Sequence, residues 1–441
     1  MNLKTRKTTD FFRAEYVNWA SYSNLRQIAS LVDGQKNAAR KILWYTQQKN
    51  LKNESKVSQL NSKVAEETEY LHGDMSGVIV NLAQDYTGTN NINLLYPEGN
   101  FGSRIIPKAS ASRYIYTYGA PEFFKIFNKE DTPILEHQDF EGHQIEPKFL
   151  LPRLPMLLIN GSEGISSGFA QKILPRNPVE IEKYIKYYLK NPNAPKKPFK
   201  NKPYYRGFKG NIKQGESLNQ WVLEGCCSVS NGTCTITELP IGYSLKSYIK
   251  VLDKLEEQKK IISYKDFSQD EFLIEVKINR AVLARLNNEL LDYLKLRKTI
   301  TENYTVMSEE NTIKTFDCVD DILQEYTKVR LKYLQKRKEH LIKSISKNIK
   351  EDISRYIFVR NIVQGDLVIF KRPTCDIKKD LEATDKIIKR DDSFDYLLNM
   401  NIYSLTKEKM EALMNQLKKQ KETLDFVRIA TMQDMWLEDL K

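Results

Sequence analysis

The chain has 441 residues, 41% hydrophobic and 29% charged, with only 18 glycines and 15 prolines. That is enough for about three domains at roughly 150 residues each, and it excludes wholesale disorder. Lys and Arg outnumber Asp and Glu by 69 to 57, a net charge of +12, which favours a polyanionic partner such as nucleic acid, although a merely soluble basic surface explains the charge as well. No run approaches the roughly 18 apolar residues that span a bilayer, and the N-terminal stretch lacks the apolar core of a signal peptide. A cytoplasmic protein with no membrane partner is expected. The cysteines Cys226, Cys227, Cys234, Cys318 and Cys375 form no Cys-x-x-Cys pair, and His72, His137, His143 and His340 form no His-Glu-x-x-His motif, so no metal ligands are assigned.

In chain order, residues 1–150 carry apolar helical patterns broken by tight glycine turns. After the Asp33-Gly34 turn, Asn37 to Tyr45 reads as a helix with Arg40 and Lys41 on it, which suits either a DNA-contacting helix or an ordinary amphipathic one with solvated charges. Residues 151–320 change texture. LLPRLPMLLING reads as buried strand or turn, and the alternating runs at Thr233–Thr237 and Phe272–Val276 read as strands of a mixed sheet. Between them, Lys196–Lys209 interleaves basic residues with Phe199, Tyr204, Tyr205 and Phe208, compatible with gripping a phosphate backbone or with a solvated linker.

From Asp321 no Gly or Pro interrupts the chain before Gly365, and apolar residues recur at three- and four-residue spacing from Ile322 to Tyr356. A continuous helix on the order of 60 Å is predicted. A second stripe, Met410, Leu413, Leu417, Leu424 and Val427, follows an N-cap at Thr406. The two helices are expected to lie antiparallel as a coiled coil, with shorter elements from 366–403 at its tip.

Neither a phosphate-binding Gly-x-x-x-x-Gly-Lys-Ser/Thr loop nor an Asp-x-Asp pair for magnesium is present. The informative stretch is EYLHGDMSGVIVNLAQDYTGTNNINLLYPEGNFGSRIIPKASASRYIYT, Glu69 to Thr117. It resembles the breakage-reunion core of the type IIA DNA topoisomerases, in particular the eukaryotic enzymes and the medium subunit of T-even phages. RQIASLVDGQKNAARKIL upstream, LLPRLPMLLINGSEGISSGFA downstream, the long helix and the terminal DMWLEDL are similar to further parts of that family, in the family's order.

The resemblance implies an α+β multidomain fold: a winged-helix (CAP-like) DNA-binding domain with an N-terminal arm over 1–150, a mixed α/β tower domain over 151–320, and a long antiparallel coiled coil with a helical C-gate for dimerisation over 321–441. It implies that Tyr114 attacks a phosphodiester and forms a transient 5′-phosphotyrosyl bond, with Arg113 and Arg26 clamping the phosphoryl oxygens and His72 moving a proton or donating to the phosphate. Tyrosine ordinarily ionises near pH 10, so the hydroxyl needs such help at neutral pH. Lys36 and Arg40 would position the DNA backbone, Asp33 would anchor those cations, Ile165 would wedge into a base step, and Asn100 would stand in the loop near the nucleophile. The implied partners are double-stranded DNA, a second copy of the chain, and a subunit carrying the Mg2+-binding and ATPase domains, so that Mg2+ and ATP are held outside this chain. The arrangement points to a phage or viral source and to relaxation and decatenation. The rivals are a non-enzymatic DNA-organising coiled-coil protein and a partner-binding scaffold. Composition and periodicity alone favour those two; the ordered match favours the enzyme.

Overall fold

The computed structural model describes residues 7–191, 199, 201–286 and 289–441. The chain divides into two compact units, Met1–Arg330 with Leu440, and Leu331–Asp439 with Lys441. Among the described residues no helix is long and apolar enough to cross a membrane.

The first unit opens with α1, Val17–Gln27, and α2, Asn37–Gln48. On α2 the buried residues Ala39, Ile42, Leu43 and Thr46 recur at three- and four-residue intervals, so one face of the helix enters the core. A short strand β1, Ser55–Lys56, leads into α3, Val57–Glu67, which buries Val57, Leu60 and Val64; α4, Ser76–Ala83, buries Ile79, Leu82 and Ala83. These helices pack on one another beside a small antiparallel sheet of order β1-β3-β2, formed with β2, Leu95–Glu98, and β3, Tyr116–Gly119. In that sheet Thr117 stands opposite both Ser55 and Pro97.

Two hairpins follow. Strands β4, His137–Phe140, and β5, His143–Pro147, make the first. Strands β6, Ser162–Ile165, and β7, Ala170–Ile173, make the second. Between them the LLPRLPMLLING stretch, expected as strand or turn, contains a helix, α5, Met156–Asn160. Short apolar runs do not distinguish strand from buried helix, and here Pro155 turns the chain while its carbonyl accepts from Leu158 N at 3.0 Å.

After α6, Pro178–Lys190, the unit adds β8, Asn211–Gln214, β9, Gln220–Glu224, β10, Cys226–Ser230, and β11, Thr233–Glu238. Next come α7, Leu245–Glu257, β12, Ser263–Asp266, β13, Ile274–Lys277, and β14, Arg297–Thr301. The expected strands at 233–237 and 272–276 are thus β11 and β13, neighbours in a four-stranded antiparallel sheet of order β10-β11-β13-β12. Tyr248, Leu252 and Leu255 of α7 cover its core with Cys234, Ile236, Ile274 and Val276. A second sheet has the order β14-β9-β8. Residues 196–198 and 200 of the basic, aromatic stretch lie outside the described residues. Of the rest, Phe199 and Tyr205 are buried, and Tyr205 and Phe208 pack with Trp221 and Leu223. Phe199 and Tyr205 thus build core, Phe208 is half-buried against it, and Tyr204 is exposed. A last hairpin, β15, Thr305–Met307, and β16, Ile313–Thr315, returns to the start of the unit, where Ser30 bridges Met307.

The helix α8, Val319–Gln364, begins in the first unit and continues into the second. In the second unit it is followed by α9, Thr374–Ala383, α10, Lys407–Ile429, and α11, Met432–Asp439. The Thr406 side chain caps α10 by accepting from Lys409 N. Lys338 Nζ on α8 donates to the carbonyls of Arg428 and Ala430, whereas Asp352, further along α8, accepts from Gln416 and Gln420. As the number rises on one helix it falls on the other, so the pair is antiparallel. Ile349, Leu417 and Leu424 form the seam, and Phe358, Val359, Ile377, Leu381, Phe394, Leu397 and Leu413 gather the shorter elements around the far end.

Candidate nucleic-acid cleavage site

Tyr114 stands at the end of a turn that leads into β3. The turn closes through Tyr114 N donating to Ala111 O at 2.9 Å, and the first N–H groups of α3 hold it from behind: Val57 N donates to Ile115 O at 3.0 Å and Ser58 N to Ser112 O at 3.1 Å. A helix start always has such donors to satisfy, and here the Tyr114 loop satisfies them. Ile115 is buried, so the backbone is pinned while the neighbouring Tyr114 ring is 66% exposed. The Arg113 guanidinium carbon lies 5.0 Å from the Tyr114 ring centroid. Asn100 sits in the preceding loop, where its side-chain oxygen accepts from Gly102 N at 2.9 Å and its carbonyl from Ser110 N at 3.0 Å. It shapes the loop. Gly102 has φ +90° and a Cβ there would lie 2.4 Å from Pro107 O, so the bend requires glycine.

Arg26, Lys36 and His72 come together elsewhere in the unit. They line one cleft of about 750 Å³, along with Tyr22, Lys41, Glu146 and Glu163. Tyr114 and Arg113 are not among the cleft's lining residues. Arg26 is half-buried near the end of α1, its guanidinium carbon 5.7 Å from the Tyr22 ring centroid. Lys36, just before α2, donates from Nζ to Glu163 O at 2.7 Å; partial burial lowers its pKa, opposed by the Glu163 carboxylate. His72 is exposed in the loop before α4, hydrogen-bonded through Nε2 to the Tyr22 hydroxyl. Desolvation, then the charges of Arg26 and Lys41, hold its imidazole below the ordinary range. Lys41 itself is buried against Glu146, at 2.7 Å.

Arg40, expected to position the DNA backbone, is instead turned inward, and Asp33, expected to anchor the cations, is buried beside it. Arg40 is 7% exposed and Asp33 not at all. Arg40 Nε reaches Asp33 Oδ2 at 2.6 Å and its Nη2 reaches Asp33 Oδ1 at 3.2 Å and Gln35 O at 3.0 Å. Asp33 also accepts from Gln35 N at 2.9 Å and Leu150 N at 3.0 Å. The pair is a folding hub, with its charges facing each other in the interior. Gly34 between them has φ +68°, and a Cβ would lie 2.3 Å from Leu157 N of α5.

Ile165 ends β6 and is 79% exposed, although its hairpin is held tightly against α1: a Cβ on Gly164 would meet Gln27 O at 2.1 Å, and Ser166 Oγ lies 3.0 Å from Ser23 Oγ. An aliphatic side chain projecting from a fixed turn beside a basic cleft has the form of a wedge. Sequence reasoning missed Tyr22, although its position four residues before Arg26 on a helix was the available signal.

Compared with known proteins, residues 26–441 match the family of the DNA gyrase/topoisomerase IV A-subunits. The chain belongs to that family. It is 33% identical over 447 residues to "DNA topoisomerase 2, mitochondrial" of Dictyostelium discoideum, covering 98% of this chain and 34% of the relative. It is 29% identical over 499 residues to DNA topoisomerase 2 of Saccharomyces cerevisiae, covering 100% and 35%. The solved Plasmodium falciparum topoisomerase II DNA-binding, cleavage and re-ligation domain superposes with a TM-score of 0.90 at 33% identity, covering 98% of this chain and 63% of that one. The fold is therefore that of a topoisomerase II cleavage core, mixed α and β with one long helix. This topoisomerase family chain spans about a third of the length of those curated relatives. The relatives are eukaryotic, each holding the matched part within one longer chain, so the expectations of a phage source and of a separately encoded ATPase partner draw no support from them.

Proposed function

We propose that this chain is the DNA-cleaving and rejoining part of a type IIA topoisomerase, with Tyr114 as the nucleophile. The observation that carries the reading is the Tyr114 hydroxyl itself, solvent-exposed on a backbone fixed at both sides with a guanidinium against its ring. In the proposed step the phenol gives its proton to solvent as its oxygen attacks phosphorus, a phosphotyrosyl ester forms, the P–O3′ bond breaks, and the 3′-oxygen takes a proton from solvent and leaves as a hydroxyl. The ester conserves the bond's free energy, so a reversed attack reseals the strand. Arg113 stabilises charge on the phosphoryl oxygens by charge-assisted hydrogen bonds.

Arg26, Lys36 and His72, which share a cleft apart from Tyr114, fit a second copy of the chain completing each site. Cutting both strands of a two-fold symmetric duplex calls for such a homodimer. On this reading 1–150 is the winged-helix domain, 151–320 the tower, and 321–441 the coiled coil and dimerising C-gate. Ile165 enters a base step and Asn100 shapes the nucleophile's loop. Magnesium would assist the leaving oxygen. Among the described residues no three His, Cys, Asp or Glu side chains gather to hold it. On this reading magnesium and ATP are bound by other domains of the working assembly, in the cytoplasm or wherever its DNA lies.

The test is to incubate the full assembly with Mg2+ and supercoiled DNA, denature it, and look for covalent protein–DNA adducts. Wild type yields them, and Tyr114→Phe loses them by more than about 1000-fold with DNA binding and thermal stability unchanged. Equal adducts from both would end the proposal. A DNA-organising protein would bind DNA alike in both forms and give adducts in neither.

A further inference from the structure

His72 does not stand alone in the cleft. Its imidazole contacts two tyrosine rings, with centroids 5.7 Å away in each case, Tyr22 tilted and Tyr70 edge-on. The Tyr22 hydroxyl hydrogen-bonds its Nε2. Tyr22 and Arg26 are one helical turn apart on α1, and the Arg26 guanidinium lies over the Tyr22 ring. The chain Arg26–Tyr22–His72 therefore links two groups of the phosphate-facing set through a residue that carries no charge.

We propose that Tyr22 is a positioning residue for His72: it holds the imidazole by hydrogen bonding to Nε2, and a DNA phosphate engages His72 by taking the place of the Tyr22 hydroxyl. The inference rests on the reading of this cleft as the phosphate-facing site. Its logic is that of tautomers. While His72 is neutral, the Tyr22 O–H donates to Nε2 and the ring proton sits on Nδ1. In that state Nε2 has no hydrogen to offer a phosphate oxygen. A phosphate arriving beside the ring favours imidazolium; His72 then takes a proton from solvent at Nε2 and donates it in a hydrogen bond to the phosphate, while the released Tyr22 hydroxyl turns to water. Arg26 and Lys41 oppose protonation before DNA arrives, Lys41 being itself neutralised in part by Glu146, and Tyr22 and Tyr70 supply no charge.

The substitution that isolates the effect is Tyr22→Phe, which keeps the ring under Arg26 and removes only the hydroxyl. Tyr22 is 45% exposed, so the fold tolerates the change. The first readout uses the chain itself: four histidines give four ring signals in a histidine-labelled NMR titration, assigned with His72→Gln. In wild type, His72 is expected to titrate low and to move upward when a short duplex oligonucleotide is added. In Tyr22→Phe it already titrates higher without DNA, and the further movement is smaller. The second readout is adduct formation by the assembly against pH, whose alkaline limb, set by loss of the His72 proton, moves upward in Tyr22→Phe, with a rate change of about five-fold at neutral pH, the size of one hydrogen bond. An unchanged His72 titration and an unchanged pH profile in Tyr22→Phe would overturn the role of Tyr22. Adducts persisting in Tyr114→Phe would overturn the cleavage reading, while the titration of the isolated chain would still judge the Tyr22–His72 link.

Discussion

Two turns in the first unit carry the family motifs, and they are built in opposite ways. The turn at Asp33–Lys36 is interior: Asp33 and Arg40 spend their charges on each other and on backbone N–H and carbonyl groups, and Gly34 lies against the backbone of α5. The turn at Ala111–Ile115 has the same backbone rigidity, supplied by α3, yet it turns Arg113 and Tyr114 outward. On the proposed reading, the motif residues that meet DNA are left to solvent on a pinned backbone, whereas Asp33 and Arg40, which make the pinning, are buried and paired. Charge and motif position alone do not separate the two.

That contrast can be broken by substitution. Asp33→Ala removes one half of a buried ion pair and leaves Arg40 uncompensated, so the expected loss is about 3–5 kcal/mol of stability, read as a lowered urea midpoint of the first unit. A variant as stable as wild type would show that Asp33 is no hub. Arg113→Ala should leave the melt unchanged and reduce the cleavage rate by about 100-fold with DNA affinity largely kept, measured by single-turnover adduct formation. A loss confined to affinity would assign Arg113 to binding. Ile165→Ala removes exposed apolar surface from a fixed hairpin, so stability stays within about 0.5 kcal/mol while DNA bending, followed by energy transfer between end labels, declines. The smallest effect sharpens the picture of His72. Because its native pKa lies below the ordinary 6.5, the unfolded chain binds a proton that the native chain does not, and stability falls slightly as pH drops below that value. The pH dependence of unfolding should flatten in His72→Gln.

Much of this was legible along the chain. The long helix was visible because a stretch without Gly or Pro and with unbroken three-and-four spacing has no competing structure, and Thr406 announced its partner by cap chemistry. Strands β11 and β13 were visible through alternation. The short apolar run at Met156–Asn160 was not, since strand and buried helix share its composition. The stretch ending at Lys209 misled for a related reason: Phe199 and Tyr205 suit a core as well as a base stack, and only their neighbours decide. In the candidate site, Tyr114 and Arg113 were singled out by motif, and the structure leaves both exposed on a backbone held by α3. Arg40 was misplaced because a cation near a helix start looks the same whether it faces a phosphate or Asp33.

The order of residues determined most element types, the family and the set of chemical groups on offer, because periodicity, caps and turn chemistry act within a few neighbours. The roles of those groups were decided by contacts across long separations: Lys36 against the carbonyl of Glu163, Asp33 against Leu150, and Tyr22 against His72. Such contacts set burial and hydrogen-bond partners, and these decide whether a charge builds the frame or meets a ligand. No local pattern contains that information, since it arises only when distant segments are packed together.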